Sequence, residues 1–138
     1  MTGTLARLVR VRHVQHALAV AESLSAQAEA NSIAHNATRL ARVRADLFRQ
    51  EGVTMGSNFA AYRELADRLE RAGRQLDGAL YDARRKVDEK QDLRIIANRE
   101  KEIAERLKER ARADAEDRME VRLAALPSYR RMQKRGNE

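Results

Sequence analysis

His13 and His16 stand three residues apart, which on a helix would put two imidazoles on one face within reach of a metal ion. No Asp, Glu or Cys stands one turn away in sequence to complete a coordination set, so the pair reads as a polar helix face. His35 is isolated and reads as a seam or surface residue. Adjacent carboxylates such as Glu116-Asp117 are common in the second half of the chain, but a helix surface offers no pocket to shift their acidity. Gly52 and Gly56 are followed by no lysine, so no phosphate-binding loop is spelled out. The aromatic residues Phe48, Phe59, Tyr62, Tyr81 and Tyr129 are too scattered to form a base-stacking platform. There is no cysteine, which removes disulfides and thiolate metal sites. Neither a catalytic set, a cofactor site nor a metal site is expected.

What remains is charge. The 138 residues carry a net charge of +7, and its distribution is uneven. Residues 1–21 hold Arg7, Arg10 and Arg12 and no acid. Residues 127–138 hold Arg130, Arg131, Lys134 and Arg135 against Glu138. Between them, runs such as Glu100-Lys101-Glu102 interleave the two signs, as on a solvated helix face. Basic ends of this kind suit an acidic surface of protein, nucleic acid or lipid.

The elements that would position these ends are helical. Composition is 43% hydrophobic but only 4% aromatic, with 36% charged residues and one proline, the profile of long helices rather than a broad core. No apolar run is long enough to span a membrane. The first twenty residues combine arginines with an apolar stretch, but His16 interrupts it and helical periodicity runs through it, so no targeting leader is expected. The only turn-rich segment is 51–57, with Gly52 and Gly56. Two long helices joined there are expected to fold back as an all-α antiparallel coiled-coil hairpin. The expected layout is one unit spanning 1–138: helix 5–50, turn 51–57, helix 58–126 and a basic tail 127–138.

Within the first helix, Thr4 is expected to cap the start, and Val11, Val14, Leu18 and Ala21 to form a stripe that resumes at Ile33, Leu40, Val43 and Leu47. The 22 residues from Val11 to Ile33 depart from a strict heptad, which predicts a locally loosened supercoil. In the second helix, Tyr62, Ala66, Leu69, Gly73, Leu76, Leu80, Ala83 and Val87 alternate steps of 4 and 3. After Val87 the apolar residues Leu93, Ile96, Ile103 and Leu107 predict a slipped register, and Pro127 is expected to end the helix at or before Leu126. Helices of about 69 and 104 Å at 1.5 Å per residue are unequal. Pairing from the turn would set Leu5 near Ile103 and leave Leu107, Met119, Leu123 and Leu126 on an unpaired, partner-seeking stripe. A single narrow seam predicts modest stability and reliance on partners. Phe48, Phe59 and Tyr62 would close the turn end.

The layout resembles the stalk proteins of flagellar and type III secretion export, the FliJ and YscO proteins. The likeness rests on total length, on the turn Gln50-Glu51-Gly52-Val53-Thr54-Met55-Gly56-Ser57-Asn58 and on the aromatic-led start Phe59-Ala60-Ala61-Tyr62-Arg63-Glu64-Leu65. It also rests on the late cluster Glu116-Asp117-Arg118-Met119-Glu120 with a basic end. Family members often carry an Asp-Glu pair near the C-terminus, where this chain has Leu123-Ala124-Ala125-Leu126-Pro127-Ser128. The resemblance implies a non-enzymatic coupling component, cytoplasmic and peripheral to the inner-membrane export apparatus. Its terminal end would enter the central hole of the hexameric export ATPase, and the turn end would reach the membrane export gate; some members also escort chaperones. Carried onto this chain, the ATPase end would use Arg7, Arg10, Arg12, Leu107, Met119, Leu123, Arg130, Arg131, Lys134 and Arg135, and the gate end Phe59, Tyr62 and Leu69. No small-molecule substrate or cofactor is implied. The residues alone leave two other readings open: a basic coiled coil that binds nucleic acid, and a scaffold that self-associates.

Overall fold

The computed structural model describes the backbone of residues 2–50 and 59–136 and the side chains of 3–49, 59–126 and 136. Two helices account for all of it, α1 (Thr2–Gln50) and α2 (Phe59–Gly136). Both are rich in Ala, Arg, Glu and Leu, the residues that lose least on entering a helix. Neither is long and apolar enough to cross a membrane. The expected turn at 51–57, with Gly52 and Gly56, lies outside the described residues.

The helices pack against each other in two compact units: 18–95, and 1–17 with 96 onward. In the first, cross-helix contacts run Leu40 to Gly73, Glu29 to Lys86 and Glu22 to Lys90, so the partner number rises as the α1 number falls and the pair is antiparallel. The expected stripe Tyr62, Ala66, Leu69, Gly73, Leu76, Leu80, Ala83, Val87 is buried or half-buried throughout. Against it, α1 sets Ala19, Ser23, Ala26, Ala30, Ile33, Ala37, Leu40, Arg44 and Leu47, again in alternating steps of 3 and 4. The innermost residues are small: Ala26, Ala30, Ala83, Val87 and Ser23, and among the described residues no large side chain is fully buried. A seam of alanines suits close backbones and a narrow core, and each methyl contributes little alone.

In the second unit, Leu5, Val9, Arg12 and His16 on α1 face Ala97, Lys101, Ala104 and Ala111 on α2, with Ala104 the best buried. On α1 these continue the same alternating steps; on α2 they keep the same phase, with the intervening Arg94 and Lys108 exposed. The structure therefore corrects two expectations. Val11, Val14, Leu18, Ala21 and Val43 are not seam residues; they are exposed, and α1 keeps a regular heptad with no loosened segment. Nor does α2 slip after Val87: its seam goes on through Lys90, and Leu93, Ile95, Ile96, Ile103 and Leu107 are exposed. In both places long amphipathic side chains hold seam positions by burying their stems and keeping charge at the rim, so the apolar residues are not the ones inside.

Three further differences concern ends and register. α1 already includes Thr2 and Gly3, so Thr4 lies inside the first turn and is not its cap. Leu5 lies beside Lys108, Ala111, Ala115 and Met119 rather than Ile103, about two helical turns further along α2. Finally, α2 runs through Pro127 to Gly136, so no separate tail begins at 127. The ring's fixed φ matches helical backbone, and the loss is the one hydrogen bond an N–H there would donate to the Leu123 carbonyl. Good helix formers follow in Arg130, Arg131, Met132, Gln133, Lys134 and Arg135.

Candidate partner interface

The terminal unit gathers the N-terminal arginines and the distal part of α2 in one body. Its arginines are not equivalent. Arg12 sits on the seam, half-buried, and its Nη1 donates to Glu100 Oε2 at 2.8 Å and to Gln15 Oε1 at 2.9 Å. Arg7 and Arg10 are exposed and, among the described residues, pair with no carboxylate. They are the cations of residues 3–17 free to meet a partner. Arg130, Arg131, Lys134 and Arg135 lie on the helical backbone of α2, and their side chains lie outside the described residues. Leu107, Met119 and Leu123 are all exposed. A small groove at the end of the paired region is lined by Leu5, Ala111, Ala115 and Met119, with Lys108 and Arg112 at its edge.

His13 finds across the seam the carboxylate its own helix lacks: its Nε2 lies 2.7 Å from Glu105 Oε1. The reading of His13 and His16 as a bare polar face therefore changes for His13. His16 takes a half-buried seam position, and no group of three potential metal ligands occurs among the described residues. Further along α2, Arg112 lies 2.6 Å from Glu109 and 2.7 Å from Glu116. Its hydrogen bond and charge hold the Glu109 carboxyl below the usual carboxylate range, and the same two effects raise Arg112, with Glu116 adding to the latter. This is a solvent-exposed staple within one helix.

In the 18–95 unit, the residues assigned to the gate end divide. Phe59 opens α2 and is exposed, while Tyr62 and Leu69 are half-buried seam residues. Leu69 lines an open groove of ≈ 390 Å³ with Ala37, Leu40, Ala41, Phe48 and Gly73. Phe48 is half exposed, and the Arg44 guanidinium lies 5.7 Å from its ring centroid, so the ring is engaged by its own helix. Phe59 is thus the freer of the three for a partner.

Sequence reasoning missed the cross-seam contacts of Arg12 and His13 because they depend on register. The signal was present: continuing the steps of 3 and 4 backward from Ile33, Ala30 and Ala26 lands on Ser23, Ala19, His16 and Arg12. No protein-family model, curated protein or solved structure matches this chain.

Proposed function

We propose that this chain is a non-enzymatic stalk of the flagellar or type III protein-export apparatus. In this reading the terminal unit inserts into the central hole of a hexameric export ATPase, and the end of the hairpin near Phe59 meets the membrane export gate. The observation that carries it is the antiparallel packing of the first turns of α1 on the distal half of α2 in one compact unit, with Arg7 and Arg10 exposed and unpaired among the described residues. An acidic pore wall would attract such an end, and the helical hairpin supplies a body narrow enough to enter a ring. Location at the export apparatus follows from those partners.

The test is capture of the cognate export ATPase on immobilised chain at about 0.15 M salt, where charge at short range still acts. Arg7→Glu, Arg10→Glu, Arg130→Glu and Arg131→Glu together should lower the affinity at least about tenfold, a change of about 1.4 kcal/mol. Undiminished capture by the reversed chain defeats the reading. The same free arginines favour one alternative, a coiled coil that binds nucleic acid through phosphates. It requires duplex binding that falls steeply with salt, and no retardation at low salt excludes it.

A further inference from the structure

The exposed apolar residues of the terminal unit are not scattered. With Val9 and His16 as a positions and Arg12 as d, Leu8 is g, Val11 is c and Gln15 is g on α1. With Lys101 as a and Ala104 as d, Ile96 and Ile103 are c and Glu100 and Leu107 are g on α2. The g and c positions share one flank of a helix, and in an antiparallel pair g flanks face g flanks. The ion pairs fix that geometry: His13 and Glu105 are both e and meet on one side, whereas Arg12 reaches Gln15 and Glu100, both g, on the other. Leu8, Val11, Ile96, Ile103 and Leu107 therefore line a single face two helices wide. Four of the five are 43–56% exposed.

We infer that this face docks on the same face of a second copy of the chain. Charge argues for a copy rather than an oppositely charged partner. The chain is +7, so most of its surface repels itself. Within this face Arg12 and Glu100 neutralise each other at 2.8 Å, and the exposed Arg110, the next c residue after Ile103, stands at its end. The nearby arginines Arg7, Arg10, Arg99 and Arg106 occupy f and b positions, directed off it. Area leaves room for such a contact. The chain exposes 11561 Å², while a compact monomer of its 15.7 kDa exposes about 7,300 Å². A standard interface removes about 800 Å² per partner, well inside that excess. A two-fold axis through the face would set apolar rows against apolar rows, a self-complementary contact. The inference is independent of the export reading.

Sedimentation equilibrium of the full chain from about 5 to 200 µM tests it, the range in which a modest interface dissociates. The mass should rise toward twice 15.7 kDa. Val11→Lys with Ile103→Lys should raise the half-association concentration at least about tenfold, with helicity by circular dichroism unchanged because both sites are exposed. Val14→Lys with Ile95→Lys, exposed on other flanks, should leave it unchanged. A mass of 15.7 kDa at every concentration overturns the inference and assigns the face to a different protein. A dimer that survives the first pair of substitutions also overturns it. A third readout needs no variant: because the contact is made by apolar residues, raising salt from about 0.05 to 0.5 M should not dissolve the dimer, and salt-induced dissociation would place the contact on the basic ends instead.

Discussion

Two glycines interrupt α2 in the same compact unit, and they differ in one respect that can be measured. Gly78 faces open space: an added Cβ would meet nothing within 4 Å. Gly73 is on the seam, and a Cβ there would lie 3.7 Å from Leu40 Cδ2, an ordinary van der Waals contact. Both should gain about 1 kcal/mol on replacement by Ala, because a helical glycine gives up more backbone freedom. Gly73→Ala should gain roughly 0.4 kcal/mol more, half the value of one fully buried methyl, because its site is half-buried. Urea unfolding followed by helical circular dichroism reads both changes in one transition. With a slope of about 1–2 kcal/mol/M, Gly78→Ala should move the midpoint up by roughly 0.5–1 M and Gly73→Ala further still. A midpoint lowered by Gly73→Ala would mean that the helices are closer than this packing allows. Equal gains at both positions would mean that position 73 does not face α1. Either result would refute the seam assignment.

Other perturbations follow from the same packing. Ala30→Leu inserts three carbons where Ala26, Ala83 and Val87 close the core, and should cost about 1–3 kcal/mol in the same urea experiment. Pro127→Ala restores an N–H to the helix, with a local gain of up to about 3 kcal/mol, and hydrogen exchange should show slower exchange around Leu123 and Leu126. Glu109 has a carboxyl depressed below 4.5 by Arg112, so its contribution is complete above that value and disappears as pH falls through its lower folded value. Amide exchange in 109–116 should therefore accelerate on acidification below that point, and Glu109→Gln should remove the contribution at every pH.

How far the fold could be read from the residues depended on what fills the seam. From Tyr62 to Val87 every seam position is Tyr, Leu, Val, Ala or Gly, so spacing alone revealed the buried face. In the first half of α1 the seam holds Arg12, His16 and Ser23, while Val11, Val14 and Leu18 lie outside it, so hydrophobicity pointed to the wrong side. The same inversion occurs on α2, where Lys90 and Lys101 are half-buried and Ile96 and Ile103 are not. A long cationic side chain can shield a seam of alanines while its head stays wet, and a composition scale counts it as surface. Of the candidate interface, the clustering of basic residues at both termini was legible. That Arg12 is committed to Glu100 while Arg7 and Arg10 are not required knowing which residues stand opposite each other.

Alanines pack almost equally well against one another at many offsets, so they cannot say where along its length one helix should stop sliding. The polar contacts supply that answer. Displaced by one heptad, Glu29 would lose Lys86 and oppose Ala79 or Leu93, and Arg12 would exchange Glu100 for Leu93 or Leu107. Each pair adds no more than about 1 kcal/mol to stability, yet together they act as detents on an otherwise smooth track. Their removal should leave helicity almost intact while letting the arms creep lengthwise.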